Sequence, residues 1–322
     1  MRFHLRIAAS LLGLLTFLAV TSSSRADLAY ITGGSTIYQW NTATNSVTSV
    51  VSSANGGGLD SLIFDNQGDI IYSIIGTNSI GIYNLSTHNN RILASGGNFT
   101  GVADMALEPG GATFLVSNAF DGSIDRVTIA TGAKTTLYNG GLRPDGVTYD
   151  DSGHLFAVLG LTEVAQLNPT TGAVLKTIST PNQPDSISFD ALTGKLYVSS
   201  DGGGFYTLPT TLSSATFTAV SGSPVFDGMA SNGNLLYFVV RGQGAVIYNL
   251  NTGAVTERSP FISGADDIAP LTGLGSSGSS VPEPSSIVLL GLGLAILAAG
   301  GIPRKAATAR SAGTVPFCLS RA

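Results

Sequence analysis

Short apolar runs alternate with polar turns through residues 27–271, and the same order of runs recurs along the chain. Six segments start alike, each with an aspartate followed by apolar positions, at 59–64, 103–107, 144–149, 184–189, 226–230 and 265–269. One apolar position in each segment marks the register: Leu62, Met105, Val147, Ile187, Met229 and Ile268. The spacing of these positions, about 41 residues, is typical of a repeat architecture.

Each repeat contains four runs rich in β-branched and aromatic residues and separated by Gly, Asn and Asp. In one repeat they fall at 144–149, 155–158, 164–167 and 173–178. Runs of this length and composition predict strands joined by hairpins. Four strands in about 41 residues make one blade of a β-propeller, so we predict an all-β fold.

The two ends of the repeat region complement each other. Residues 28–31, 36–40 and 46–50 match strands two to four of a blade, whereas 267–271 match the missing first strand. We therefore predict a six-bladed β-propeller closed by pairing of the N- and C-terminal strands, which removes open sheet edges. A seven-bladed propeller would leave only about 36 residues for each blade, too few for this period.

Residues 1–26 have the features of a secretory signal peptide. Basic residues precede an apolar run at 7–20, and the small residues Ser24 and Ala26 stand before Asp27. Such a segment predicts an N-terminal signal helix, cleaved by signal peptidase between Ala26 and Asp27. The alternative is an uncleaved membrane anchor, and both interpretations place the repeat region outside the cytoplasm.

The C-terminal region has a different composition from the repeats. A Gly/Ser linker at 272–281 leads to Pro282, Glu283 and Pro284, and then to an uncharged apolar run at 287–302 that is followed by Arg304 and Lys305. Sixteen helical residues span about 24 Å, which predicts a short transmembrane helix. Positive charges behind such a helix stay on the cytoplasmic side, so residues 306–322 are expected to form a cytoplasmic tail.

Residues 282–305 resemble the PEP-CTERM sorting signal of Gram-negative bacteria, through Pro282-Glu283-Pro284, the apolar helix and the basic cluster. The resemblance implies export across the inner membrane and transient anchoring in it. It also implies processing by an exosortase near the proline motif, and then a place at the cell surface or in extracellular polysaccharide. The alternative interpretation is a plain C-terminal membrane anchor.

Charge and cysteine content narrow the function further. Residues 27–267 contain 19 acidic and 8 basic residues, a formal charge of −11, although the whole chain has only −5. This acidity argues against nucleic acid as a partner, because phosphate binding requires clusters of Lys and Arg. The single cysteine, Cys318, lies in the tail, so the repeat region has neither a disulfide nor a catalytic thiol.

One aspartate recurs at the start of each predicted inner strand, where the strands line the axis. These candidate site residues are Asp60, Asp104, Asp145, Asp185, Asp227 and Asp266. Their carboxylates form a ring that suits a hard divalent cation such as Ca²⁺. The competing interpretation is structural, because an aspartate before a strand commonly accepts a backbone hydrogen bond that fixes a turn.

Residues 144–157 resemble the repeats of NHL and gluconolactonase-like six-bladed propellers. That resemblance implies one central divalent ion held by a Glu, an Asn and an Asp, and Asp145 matches the position of the Asp. No Glu stands at the matching place in 59–61. The leading hypothesis is therefore a binding or scaffold propeller without catalysis or a required cofactor, with an extracellular polysaccharide or protein as ligand. The alternative hypothesis is a metal-dependent lactonase or esterase.

Overall fold

All regular elements in the described part of the protein are strands. The computed structural model describes residues 28–96, 99, 101–222 and 225–270. Within these ranges, no helix has the length and apolar character needed to cross a bilayer. The predicted signal helix with its Ala26–Asp27 cleavage site, the linker, the sorting motif, the transmembrane helix and the cytoplasmic tail all lie outside the described residues.

The strands follow one another at short intervals, as the alternating pattern predicts. In the first half of the chain they are β1 Leu28–Gly33, β2 Thr36–Asn41, β3 Ser46–Ser52, β4 Gly58–Phe64, β5 Ile70–Ile75, β6 Ser79–Tyr83, β7 Asn90–Ser95, β8 Val102–Leu107, β9 Thr113–Asn118, β10 Ser123–Thr128, β11 Lys134–Asn139 and β12 Pro144–Tyr149. In the second half they are β13 Leu155–Leu159, β14 Glu163–Leu167, β15 Val174–Ser179, β16 Pro184–Asp190, β17 Lys195–Ser200, β18 Gly204–Pro209, β19 Thr216–Ala219, β20 Phe226–Asn232, β21 Leu235–Val240, β22 Gly244–Asn249, β23 Ala254–Arg258 and β24 Ala265–Pro270.

The strands form six antiparallel four-stranded sheets, which are the blades of a propeller. Blade 1 has the order β24-β1-β2-β3, and blades 2 to 6 use β4–β7, β8–β11, β12–β15, β16–β19 and β20–β23. In blade 1, Ala29 lies opposite Pro270 and Ile31 lies opposite Ile268. The predicted six-bladed fold, with one blade built from both ends of the repeat region, is therefore confirmed.

Apolar side chains from all six inner strands fill the axis. The register positions Leu62, Met105, Val147, Ile187, Met229 and Ile268 are each buried. They line an axial cavity of only about 20 Å³, room for roughly one water molecule. The axis is therefore closed by packing at this level.

The core lies between neighbouring blades, where the faces of successive sheets meet. Phe156 and Val158 of blade 4, for example, pack in one cluster with Ile187 and Leu196 of blade 5. Within blade 6, the rings of Phe226 and Phe238 are stacked with their centroids 4.3 Å apart. Because a neighbouring sheet covers each face of a blade, a strand such as β13 Leu155–Leu159 is buried at every position.

The inner strands all start on one face of the propeller, which we call the mouth face. Each inner strand runs away from it, and the second strand of the blade returns, so the loops between second and third strands lie on the mouth face. Leu28 begins a second strand and Pro270 ends an inner strand. The described chain therefore enters and leaves the propeller on the face opposite the mouth.

Candidate functional site

A β-bulge near the start of the inner strand recurs in all six blades. In blade 4, Pro144 pairs with Leu159 and Val147 pairs with Ala157, so Asp145 and Gly146 face a single residue of β13. A bulge of this kind bends the strand and redirects a side chain. The first bulge positions are Asp60, Ala103, Asp145, Asp185, Asp227 and Asp266.

Hydroxyl groups on the second strands fix four of these bulges. The side chains of Thr32, Ser73, Ser117 and Ser199 accept the backbone N–H of the second bulge residue, at 2.8–2.9 Å. Three of them also donate to the carbonyl of a bulge aspartate in the next blade: Thr32 to Asp60, Ser117 to Asp145 and Ser199 to Asp227. These hydroxyls therefore fix four of the six bulges, and three of them link their blade to the next one.

Glycine takes the second bulge position in blades 4 and 6. A Cβ on Gly146 would lie 2.8 Å from the carbonyl oxygen of Asp185, and a Cβ on Gly228 would lie 2.8 Å from the carbonyl oxygen of Asp266. The backbone of the next blade thus approaches too closely for any side chain. This close approach explains the Asp-Gly pairs in two of the repeats.

Five of the six predicted aspartates come together at the mouth. Asp60, Asp145, Asp185, Asp227 and Asp266 line one cavity of about 420 Å³. Ala103 lines the same cavity at the position equivalent to these aspartates. The ring of carboxylates is therefore real for five blades and interrupted in blade 3.

Asp104 does not belong to this ring, contrary to the sequence-based expectation. It occupies the second bulge position, and its carboxylate accepts the backbone N–H groups of Met105 at 2.7 Å and of Val147 in blade 4 at 3.1 Å. Because Asp104 stands one position later in the bulge than the other aspartates, its side chain points away from the mouth and toward the neighbouring blade. The structural interpretation holds for Asp104, because it ties blade 3 to blade 4.

Asp267 has the same role at the closure of the propeller. Its carboxylate accepts the backbone N–H groups of Ile268 at 2.7 Å and of Leu62 in blade 2 at 2.9 Å, and the hydroxyl of Ser61 at 3.1 Å. Burial raises the pKa of Asp267 to about 7 despite these hydrogen bonds. Of the two adjacent aspartates, Asp266 therefore faces the mouth and Asp267 joins blade 1 to blade 2.

Two arginines neutralise one side of the mouth. Arg241 contacts both oxygens of Asp227 at 2.5 and 3.1 Å, Asp185 at 3.0 Å and Asp201 at 3.3 Å. Arg143 contacts Asp145 at 2.8 Å. The repeat pattern does not reveal these arginines or Asp201, because they lie in connections outside the repeated bulge, where the residue type differs from blade to blade.

Asp60 and Asp266 form the side of the mouth that lacks a positive partner. Neither takes part in an ion pair within the described ranges. Burial, followed by the charge of Asp227, raises the pKa of Asp266 to about 8. Burial, followed by the charge of Asp266, holds the pKa of Asp60 well above its usual range. This pair therefore retains a proton near neutral pH.

The other mouth carboxylates are also shifted. Burial raises the pKa of Asp145 to about 6, although the charge of Arg143 opposes the shift. Burial and the charge of Asp227 raise the pKa of Asp185. A cationic group that entered the mouth would favour the ionised forms and displace protons.

The described residues do not form a preorganised metal site. Among them, no three carboxylate, imidazole or thiolate groups converge as ligands of a metal ion. Two arginines lie among the carboxylates that such a site would use. Binding of Ca²⁺ or another divalent cation at the mouth stays a prediction.

Comparison with known families identifies the C-terminal segment. Residues 280–305 match the PEP-CTERM protein-sorting motif. The chain carries a PEP-CTERM sorting signal. This signal implies processing by an exosortase and export to the cell envelope or surface of a Gram-negative bacterium.

Comparison with solved structures supports the propeller fold. A chain of a nidogen–laminin complex is 16% identical, with a TM-score of 0.64, and the match covers 75% of this protein and 97% of that chain. A protein of unknown function from Bacteroides caccae is 17% identical, with a TM-score of 0.60 and coverage of 75% and 98%. Virginiamycin B lyase from Staphylococcus aureus, in an inactive form with quinupristin, is 15% identical, with a TM-score of 0.51 and coverage of 67% and 78%. No curated protein sequence matches the chain.

The raised pKa values predict that the propeller is more stable at mildly acidic pH. A carboxyl group with a higher pKa in the folded state than in the unfolded state contributes stability that is lost as pH rises through the folded value. For Asp266 this stability is lost as the pH rises from about 4, near the pKa of the unfolded chain, to about 8, the pKa of the folded protein. We expect a higher melting temperature at pH 5.5 than at pH 8.5, measured by circular dichroism.

The variant Asp266→Asn keeps the shape of the protonated carboxyl group and cannot ionise. It should therefore raise the melting temperature at pH 8.5, by on the order of 2–4 °C for each kcal/mol gained in the free energy of unfolding. It should have little effect at pH 5.5. Asp151→Asn is the matched control, because Asp151 is exposed on the opposite face. A wild-type protein whose stability increased from pH 5.5 to pH 8.5 would contradict this account.

Proposed function

We propose that this protein is an exported binding propeller whose ligand enters the mouth, and that it acts without catalysis. The mouth cavity carries this proposal. At about 420 Å³ it has the size of a ligand site. It combines the carboxylates of Asp60 and Asp266, which form no ion pair within the described residues, with Arg143 and the exposed aromatic ring of Phe120.

The arrangement of Asp145 supports binding rather than metal-dependent hydrolysis. A lactonase of the gluconolactonase-like type would need Asp145, a Glu and an Asn as ligands of one ion. Here Asp145 is paired with Arg143 and surrounded by other aspartates. These residues do not fit that metal site, and the function that we propose is binding without a required cofactor.

The sorting signal supports a location outside the cytoplasm for this site. In our proposal, signal peptidase cleaves between Ala26 and Asp27, and the segment at 287–302 anchors the protein transiently in the inner membrane. An exosortase then cleaves near Pro282, Glu283 and Pro284. The propeller is thereby delivered to the cell surface or the extracellular matrix, where a polysaccharide or a protein is its ligand.

Retention by extracellular matrix tests the binding function. We expect the exported protein to sediment with matrix prepared from cells that lack it, and retention to fall severalfold in the double variant Asp60→Asn/Asp266→Asn, because the negative side of the mouth is lost. Asp151→Asn is the control. Wild-type retention in the double variant would contradict ligand binding at the mouth.

The same preparations distinguish the lactonase alternative. We expect no hydrolysis of lactones or esters, with or without added divalent cations. Metal-dependent hydrolysis that Asp145→Asn abolished would overturn the non-catalytic assignment.

Processing is tested by intact-mass spectrometry of the protein recovered outside the cells. We expect an N-terminus at Asp27 and a C-terminus upstream of residue 287, because cleavage at the proline motif removes the apolar segment. A secreted product that still contains residues 287–302 would contradict exosortase cleavage.

A further inference from the structure

We propose that the mouth face docks a protein segment that displays Lys or Arg next to apolar side chains. This inference rests on the proposed binding function and specifies the partner. Two independent properties of the face support it, namely exposed apolar side chains and a negative charge that the protein itself does not neutralise.

Exposed apolar side chains concentrate on the mouth face. Of the eight large apolar side chains that are exposed in the described ranges, five lie there: Ile75, Phe120, Leu142, Leu161 and Phe261. Ile75 ends a second strand, and the other four lie in connections that surround the mouth. An accumulation of this kind on one face of an exported protein indicates an interaction surface.

Three of these residues come from successive connections on the mouth face. Phe120 lies between β9 and β10, Leu142 between β11 and β12, and Leu161 between β13 and β14. Arg143 follows Leu142 directly and reaches into the cavity. Apolar contacts and the polar mouth therefore border each other, as at an interface with an apolar centre next to polar groups.

Phe120 is the most exposed member, at 79% of its surface, and it also lines the cavity. Its ring lies over Gly101, where a Cβ would be only 2.7 Å from the ring. Glycine thus leaves space for the ring at the rim of the mouth. A partner that covered this ring would bury apolar surface and contact the carboxylates at the same time.

Charge complementarity selects a basic partner. Asp60 and Asp266 have no ion pair within the described residues, and Asp121 and Glu163 add negative charge in or beside two of the same connections. Both arginines of the mouth already contact aspartates. Arg258 lies at the end of the outermost strand of blade 6, away from the axis.

The negative charge of the mouth face disfavours two other occupants. A second copy of this propeller would bring an equally acidic face against the mouth, and like charges oppose such contact. An anionic lipid surface would be repelled for the same reason. A peptide segment with alternating basic and apolar side chains satisfies both properties of the face.

A synthetic peptide of alternating lysine and leucine tests this inference against the exported protein. We expect binding, measured by fluorescence anisotropy, and a strong loss of affinity as salt is raised, because exposed charges are screened. The same peptide with glutamate in place of lysine should not bind.

Variants locate the binding surface. Phe120→Ser should weaken binding about tenfold, since the partner would no longer bury an aromatic ring. Leu192→Ser is the matched control, because Leu192 is 70% exposed in the β16–β17 turn on the opposite face. Asp60→Asn/Asp266→Asn should weaken binding and reduce its dependence on salt.

The outcomes separate this inference from the proposed function. Peptide affinity that is equal in wild type, Phe120→Ser and Asp60→Asn/Asp266→Asn would overturn the inference. Two results would leave the proposed binding function intact and overturn the basic peptide as its ligand. In the first, matrix retention depends on the mouth but the lysine–leucine peptide does not bind. In the second, a purified uncharged polysaccharide binds at the mouth without salt dependence. Retention independent of the mouth would overturn both the proposed function and the inference.

Discussion

The β-bulge at the start of each inner strand is the constraint on which the site depends. It inserts an extra residue where six strands converge, and so it turns the first bulge residue toward the mouth. Where the second bulge residue is an aspartate, as at Asp104 and Asp267, its side chain reaches the neighbouring blade. Hydroxyls such as Ser117 and Ser199 fix the bulge and bond to the next blade. Closure of the ring and formation of the mouth are therefore consequences of the same local geometry.

The electrostatics of the mouth follow from this geometry. Five carboxylates converge because the repeat copies one aspartate into most blades, and buried like charges cannot all be ionised at low cost. Arg241 compensates one side through Asp227, Asp185 and Asp201. A proton retained by Asp60 and Asp266 removes only part of the charge of that pair. The site that is most favourable for a cationic ligand is thus also a source of instability at alkaline pH.

The architecture was predictable from the sequence because it depends on repetition. Strand period, blade count and the composite blade all follow from the recurrence of apolar positions such as Leu62 and Ile268. The site was predictable only in part, since a shift of one residue decides whether an aspartate faces the mouth or the neighbouring blade, as at Asp104. The other blades carry different residue types at the positions of Arg241 and Phe120, so no repeated pattern identified them. Their role depends on how loops from different blades meet in space.

Titration of the aspartate carboxyl groups by ¹³C nuclear magnetic resonance tests the central claim most directly. The exported protein would be labelled at aspartate, and signals would be assigned with single Asp→Asn variants. We predict that Asp60 and Asp266 titrate as a coupled pair, with Asp266 near pH 8, and that Asp60→Asn changes the titration of Asp266. Independent titration of both groups near pH 4 would show that the bulges do not bring these carboxylates together, and would contradict the account.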